Sequence, residues 1–174
     1  AAPRVRLEQP SLRRQAEFLD LAGRSRRLHH PWVTTPATPE EYRAWLRRTR
    51  RRNARSFFVI DAETRALAGV YSISEIVRGV FRSAYLGYYA FQPAAGRGLM
   101  SAGLALVLAE AFGPLELHRL EANVQPGNVA SLALLRRAGF RKEGYSPRYL
   151  FLGGRWCDHE RWARLADDPP PRAR

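Results

Sequence analysis

The sequence predicts one α/β (α+β) domain in which helices flank a mixed, mostly antiparallel central sheet. The chain has 174 residues, a length typical of a single domain, and 45% of them are hydrophobic, which is enough to build a core. Short apolar runs typical of strands alternate with longer segments that carry helical spacing and capping residues. Strands and helices interspersed in this way form layers around one sheet.

Strand-like runs rich in aromatic and β-branched residues recur along the chain. The predicted strands are 5–9, 56–61, 67–75, 83–91, 120–124, 140–152 and 155–165. Gly79 predicts a turn between the third and fourth strands, and Gly153 with Gly154 predicts the turn of a terminal hairpin. The predicted helices are 12–23, 39–52, 98–112 and 128–138.

Residues at the ends of these helices are of the types that cap helices. Ser11 and Asn128 are predicted N-caps, and Gly23 and Gly139 are predicted to end their helices. Thr38 is followed by a proline and two glutamates, a strong helix start. These local signals fix the order of the elements along the chain.

Two proline-rich stretches predict non-regular structure. Residues 29–39 contain three prolines and are predicted to form a loop. Residues 167–174 contain three more and are predicted to be a flexible tail, so the predicted domain spans 1–166.

The charge and the cysteine content narrow the function classes. The formal net charge of +13 attracts phosphates, nucleic acid and acidic proteins and repels polycationic substrates. Cys157 is the only cysteine, so no disulfide forms within the chain, which fits a cytoplasmic location. No apolar run approaches the roughly 20 residues of a membrane span. The four histidines lack metal-ligand spacing, and no metal is predicted.

A glycine turn before the longest apolar helix is the first motif with chemical content. A strand ends near Phe91, and Gly96-Arg97-Gly98 then opens the helix. Glycines allow backbone N–H groups to approach an anion, and a helix N-terminus adds about half a positive charge. The turn therefore predicts a phosphate cradle, while an ordinary tight turn explains the glycines equally well.

The second motif is the stretch LEANVQPGNVASLALLRRAGFRKEG, residues 120–144. It predicts a strand, a Pro-Gly turn, a helix that starts at Asn128, and a further strand after Gly139. Asn128 has a capping role, and Ser131 one turn later is able to bond back to a carbonyl.

Together the two stretches resemble the acetyl-CoA motif and the Asn-x-x-Ser…Gly-Phe motif of the GNAT superfamily of N-acetyltransferases. Within it, the chain resembles the ribosomal-protein alanine N-acetyltransferase branch (RimJ/RimL-type). The segments that carry this second resemblance are RLEQP, SISEIVRGVFRSAYLGYYAF and EGYSPRYLFLGGRWCDHERWARL. The resemblance covers nearly the whole chain and implies transfer of an acetyl group from acetyl-CoA to an amine.

The resemblance also implies a GNAT fold and a set of cosubstrate contacts. The sheet is expected to splay between the fourth and fifth strands, with acetyl-CoA in the opening. The strand end at Ala90 and Phe91 is expected to pair with pantetheine, and Asn128 and Ser131 to face the pantetheine and thiol. The residues expected at the pyrophosphate are Gly96, Arg97, Gly98, Leu99, Met100 and Ser101.

The chain departs from the superfamily pattern at two places. Ala95 replaces a polar residue ahead of the glycine turn, and Met100 stands at its last position. Leu135 occupies the place where many members have a tyrosine that protonates the leaving thiolate. The resemblance places Arg136 or Arg137 within reach of the 3′-phosphate, and a solvated helix residue is the alternative interpretation of either.

The residues that move protons are predicted from their chemistry alone. Glu75 and Glu121 are the candidate general bases, acting directly or through water. A backbone N–H near Phe91 is expected to bind the oxyanion. Ser131 is a candidate hydrogen-bond donor to the thiolate, and Tyr145 a candidate proton donor.

The acceptor is predicted to be the α-amino group of a protein N-terminus, of the ribosomal-protein type. An α-amine has a pKa of about 7.7–8.0 and a lysine about 10.4, so a site without a strong base favours the α-amine. A small-molecule amine is the alternative acceptor. A non-catalytic nucleic-acid-binding protein and an acetyl-CoA sensor are the alternatives from other classes. The arginine run 47–55 predicts weak RNA contact or only a solvated helix end.

Overall fold

The computed structural model describes residues 4–170 and contains one seven-stranded mixed sheet. Its strands are β1 (Val5–Glu8), β2 (Arg55–Asp61), β3 (Leu67–Val77), β4 (Ser83–Ala90), β5 (Arg119–Val124), β6 (Arg141–Leu152) and β7 (Arg155–Leu165). The spatial order is β1-β2-β3-β4-β5-β7-β6, and every neighbouring pair is antiparallel except β4 and β5. The predicted mixed, mostly antiparallel sheet is confirmed.

The helices lie on both faces of the sheet. They are α1 (Gln15–Arg24), α2 (Arg26–His29), α3 (Pro39–Thr49), α4 (Leu99–Phe112) and α5 (Val129–Arg137), with single 3-10 turns at Leu12–Arg14 and Gln92–Ala94. One core lies under α1 and α3, where Phe18 and Tyr42 pack in an aromatic cluster with their ring centroids 5.0 Å apart. The other core lies under α4, where Leu104 and Val107 are buried.

The parallel pair β4–β5 is the place where the sheet opens. Pairing starts at Ser83 with Arg119 and ends at Tyr85 with Glu121. Both strands continue beyond that point, β4 to Ala90 and β5 to Val124. Because the continuing segments no longer pair, they form the two arms of a V, which confirms the expected splay.

The cap predictions agree with the structure at three of five positions. Thr38 accepts a hydrogen bond from the Glu41 N–H at 3.2 Å, Asn128 caps α5, and Gly139 has a positive φ of 80° just after α5. Two predictions at the first helix are wrong. Ser11 makes no side-chain cap bond, because a 3-10 turn separates it from α1, and Gly23 lies inside α1, which ends at Arg24.

No helix within residues 4–170 is both long and apolar enough to cross a membrane. The start of the predicted tail packs against the domain, since Asp168 accepts a hydrogen bond from the Leu165 N–H at 2.8 Å and pairs with Arg141 at 2.6 Å. Residues 171–174 of that tail lie outside the described part of the chain, so its predicted flexibility stays a prediction.

Candidate active site

A cleft of about 790 Å³ occupies the V between β4 and β5. The glycine turn and the start of α4 close one end, and α5 forms one wall. Between α2 and α3, the loop that follows α2 crosses to the opposite arm. A Cβ atom placed on Gly127 would lie 3.1 Å from Cη2 of Trp32, so this ring packs directly on the β5–α5 turn.

The glycine turn has the geometry of an anion site. Gly96 and Gly98 have φ angles of 76° and 78°, which ordinary side chains rarely adopt. Gly98 is the N-cap of α4, and the first backbone bond of the helix runs from the Ala102 N–H to the Gly98 carbonyl at 3.1 Å. The N–H groups of residues 99–101 therefore have no partner within the helix and are available to a phosphate.

The edge of β4 that faces the opening follows from its pairing with β3. The Phe91 N–H donates to the Ala68 carbonyl at 2.9 Å, and hydrogen-bonded pairs alternate along an antiparallel ladder. The backbone groups of Tyr88 and Ala90 therefore turn away from β3 and toward the cleft. The oxyanion donor expected near Phe91 is accordingly not the amide of Phe91 itself, which is already bonded.

A pair of hydroxyls links β4 to α5 beside the cleft. The hydroxyls of Tyr88 and Ser131 lie 2.6 Å apart, and the Ser131 N–H donates to the Asn128 side-chain oxygen at 3.2 Å. Burial raises the pKa of Tyr88 to about 12. Tyr88 is therefore protonated near neutral pH and is able to donate a hydrogen bond through Ser131 toward the cleft.

The structure brings seven of the expected cosubstrate residues to the lining of the cleft. They are Ala90, Gly96, Gly98, Met100, Ser101, Asn128 and Ser131. The side chains of three others point elsewhere. Phe91 is fully buried in the aromatic cluster, Leu99 is 2% exposed in the core, and Arg97 pairs with Asp61 at 3.1 Å.

The candidate bases lie apart from the cleft lining. Glu75 is exposed at a positive φ of 51° on β3 and is bonded to Asn53 at 3.4 Å. Glu121 stands at the vertex of the V, where it accepts a hydrogen bond from Arg119 at 2.9 Å. None of the Asp or Glu side chains of residues 4–170 lines the cleft.

The candidate acid Tyr145 also lies outside the cleft. Its ring is 50% exposed on β6, an edge strand of the sheet. Its hydroxyl donates to Asp158, and this bond raises the pKa of Tyr145. The place of the family tyrosine, Leu135, is fully buried in the core. These positions leave Ser131 as the one predicted catalytic residue that lines the cleft.

Sequence reasoning missed several lining residues, of which His29, Trp32 and Asn123 are polar or aromatic. His29 and Trp32 come from the stretch predicted to be a loop, which carries no periodicity that would assign them to the cleft. The two candidate arginines lie in different places. Arg137 lines the cleft, whereas the guanidinium of Arg136 lies 5.2 Å from the centre of the Trp162 ring.

Two features together define a GNAT-type acyltransferase fold: a sheet that opens into a V, and a glycine turn suited to phosphate at one end of that V. The model of the acetyltransferase (GNAT) domain family matches residues 4–141. The chain belongs to this family.

Individual relatives and structures are similar to this chain. The structure of Mycobacterium smegmatis RimJ in complex with CoA-disulfide aligns with a TM-score of 0.85 and 28% identity, over 94% of this chain and 82% of that one. The [Ribosomal protein uS5]-alanine N-acetyltransferase of Escherichia coli is 38% identical over 66% of this chain. "Probable N-acetyltransferase YjcK" of Bacillus subtilis is 38% identical over 64% of this chain. The matches span 59% and 62% of the lengths of these two curated relatives.

Proposed function

We propose that the protein transfers an acetyl group from acetyl-CoA to the α-amino group of a protein N-terminus. The observation that carries this proposal is the V between β4 and β5, with unpaired helix-start amides at one end and an unpaired strand edge along one arm. A long, amide-containing chain that ends in a phosphate group matches both features. The similarity to a structure described as a CoA-disulfide complex supports the same ligand class.

Each part of acetyl-CoA has a matching set of groups in the cleft. The amides of residues 99–101 suit the pyrophosphate, and the Arg137 guanidinium suits the 3′-phosphate. The cleft-facing backbone groups of Tyr88 and the N–H of Ala90 suit the pantetheine amides and the thioester carbonyl. Ser131, supported by Tyr88, suits the thiolate that leaves when the C–S bond breaks.

The absence of carboxylates from the cleft lining of residues 4–170 favours an α-amine as acceptor. An α-amine with a pKa of about 7.7–8.0 is about a tenth neutral at pH 7, whereas a lysine with a pKa of about 10.4 is almost wholly charged. Deprotonating lysine therefore costs about 3–4 kcal/mol more. The names of similar proteins, which act on a ribosomal-protein alanine, point to the same acceptor class. RNA contact at the exposed arginines 47–55 stays a prediction.

The first test is thermal unfolding with and without acetyl-CoA. A ligand at 100 times its dissociation constant adds about 2.7 kcal/mol of stability. At about 2–4 °C per kcal/mol for a domain of this size, the expected rise in Tm is about 5–11 °C. No rise at saturating acetyl-CoA would remove the acetyltransferase proposal.

A pair of glycine variants separates loss of the cosubstrate site from loss of stability. Gly96 and Gly79 have nearly equal φ angles, 76° and 73°, and a Cβ atom added at either meets nothing within 4 Å. Alanine at either position carries a similar backbone cost of about 1–2 kcal/mol. We expect G96A to weaken acetyl-CoA binding about tenfold or more, about 1.4 kcal/mol, and G79A to leave it unchanged.

The acceptor is tested with paired peptides and mass spectrometry. One peptide has a free N-terminus and no lysine, and the other has a blocked N-terminus and one lysine. Acetylation of the first alone supports the proposal. Acetylation of the lysine peptide, or of a small amine but neither peptide, would replace the proposed acceptor.

A further inference from the structure

Helix α2 is fastened across the end of β4 by two hydrogen bonds. The Gln92 N–H donates to the Ser25 hydroxyl at 2.9 Å, and Nε2 of His29 lies 2.8 Å from the Ala90 carbonyl oxygen. Because the Ala90 carbonyl turns toward the opening, the imidazole of His29 lies in front of the open edge of β4. The ring is only 4% exposed and contacts Tyr89, with their ring centroids 5.3 Å apart.

The hydrogen bond to Ala90 decides the tautomer of His29. A carbonyl oxygen only accepts, so Nε2 carries the hydrogen, and in the neutral ring Nδ1 is left with a lone pair. Nδ1 is buried and has no hydrogen-bond partner among the described residues. Burial lowers the pKa of His29, which keeps the ring neutral near pH 7. A buried nitrogen lone pair without a partner is costly and calls for a ligand.

His29 forms part of the wall between two spaces. One is the cleft, and the other is a neighbouring cavity of about 620 Å³ bounded by α1, α2, the loop after α2 and the β6–β7 turn. Several titratable groups line these spaces around His29: Arg26, His30, Arg155, Tyr88, Tyr89, Arg137 and His159. Within residues 4–170 neither lining contains a carboxylate. His29, which burial keeps neutral, is therefore available as a proton acceptor in this region at pH 7.

We propose that Nδ1 of His29 is the general base that takes the proton from the acceptor amine. The proposal rests on the acetyl transfer proposed above. The amine nitrogen forms a C–N bond with the thioester carbon, and its proton passes to Nδ1. The C–S bond then breaks with its electron pair on sulfur. The proton on Nδ1 returns to solvent, and the thiolate gains one from solvent.

A weak base of this kind suits an α-amine. Burial lowers the pKa of the His29 imidazole below its usual 6.5, so the ring is a weak base. The pKa of an α-ammonium, about 7.7–8.0, lies closer to it than that of a lysine ammonium, about 10.4. His29 therefore sets which amine reacts as well as how fast. Glu121, at the vertex of the V, accepts a hydrogen bond from Arg119 and lines neither the cleft nor the neighbouring cavity.

The test compares H29Q with H118Q by pH–rate profiles of kcat/KM for an N-terminal peptide. Glutamine retains an N–H that is able to donate to the Ala90 carbonyl but has no basic nitrogen. We expect H29Q to lower kcat by about a hundredfold or more. It should also abolish the part of the acid limb that His29 sets, so that the limb follows only the ionisation of the peptide α-amine, with its pKa of about 7.7–8.0. His118 is an exposed surface histidine, so H118Q should keep the kcat and the acid limb of the unchanged protein. The rise in Tm with acetyl-CoA should be equal in H29Q and in the unchanged protein.

The possible results separate the two proposals. A kcat of H29Q within threefold of that of the unchanged protein, with its acid limb unchanged, overturns the role of His29. Loss of this part of the acid limb in H159Q but not in H29Q assigns the base to His159 instead. If the unchanged protein binds acetyl-CoA but acetylates no amine, the proposed function itself fails. If H29Q does not fold, ¹⁵N NMR of the unchanged protein decides, since a His29 titration outside the acid limb overturns the proposal.

Discussion

Helix α4 approaches the sheet closely at Gly103, in the middle of the helix. A Cβ atom added there would be 2.8 and 2.9 Å from the two methyl carbons of Val59 on β2 and 3.5 Å from the Tyr71 ring. We therefore expect G103A to push α4 away from the sheet. Since α4 also begins at the glycine turn, the displacement should reach the proposed pyrophosphate site.

The magnitude follows from two opposing effects. Alanine in place of glycine in a helix interior gains about 0.8–1.0 kcal/mol, whereas overpacking a well-packed core costs about 1–3 kcal/mol. Because the new methyl group would clash with two methyl groups of Val59, the upper half of the range for overpacking applies. The expected net loss is about 1–2 kcal/mol, which lowers Tm by about 2–8 °C.

The partner substitution V59A makes the reasoning testable as a double-mutant cycle. It removes both contacted methyl groups and alone costs about 1–3 kcal/mol. In V59A/G103A the new methyl group fills part of the vacated space, so the double variant should lose at least about 1 kcal/mol less than the sum of the single losses. Urea unfolding measures stability, and calorimetry measures acetyl-CoA binding, which V59A should restore in G103A. Additivity within about 0.5 kcal/mol would refute the proposed contact.

Three shorter predictions concern the cleft and its surroundings. N128A removes the cap of α5 and should lower stability by about 1 kcal/mol in thermal unfolding, whereas N128S should retain most of it. R137A should erase the preference for CoA over 3′-dephospho-CoA in calorimetry, and R136A should leave that preference intact. The hydrogen bond from Arg119 holds the pKa of Glu143 below its usual 4.5; the stability from this depressed pKa is present above pH 4.5 and lost as the pH falls below it, so E143Q should flatten the acid side of the stability–pH curve measured by urea unfolding.

The sequence predicts those parts of the site that depend on local chemistry. Gly96 and Gly98 are recognisable because only glycine readily adopts their positive φ angles, and Asn128 because its side chain caps the helix that it starts. The seven strands and their order along the chain follow from apolar runs and turn residues. Each of these features is set within a few residues of the sequence.

The parts that the sequence leaves open depend on distant contacts. The Arg97 side chain turns toward Asp61, a partner on β2 that no local pattern specifies. The Phe91 N–H donates to the Ala68 carbonyl because of the β3–β4 register. The position of His29 depends on how a proline-rich stretch folds back over β4, and such stretches carry no periodic signal. Residue type alone makes Glu75 and Glu121 candidate bases, but the strand pairing places both outside the cleft lining.

The short parallel seam between β4 and β5 has a mechanical consequence. Among residues 4–170, three residue pairs, from Ser83–Arg119 to Tyr85–Glu121, form the ladder between the four strands before the V and the three strands after it. The Arg82 carbonyl extends this seam by accepting from the N–H groups of His118 and Arg119. A chain bound between the arms would act as an additional strand that ties the two halves together. Ligand binding in the cleft and the stability of the sheet are therefore coupled. The amides of Tyr88 and Ala90 should show the largest gain in hydrogen-exchange protection when a ligand fills the cleft.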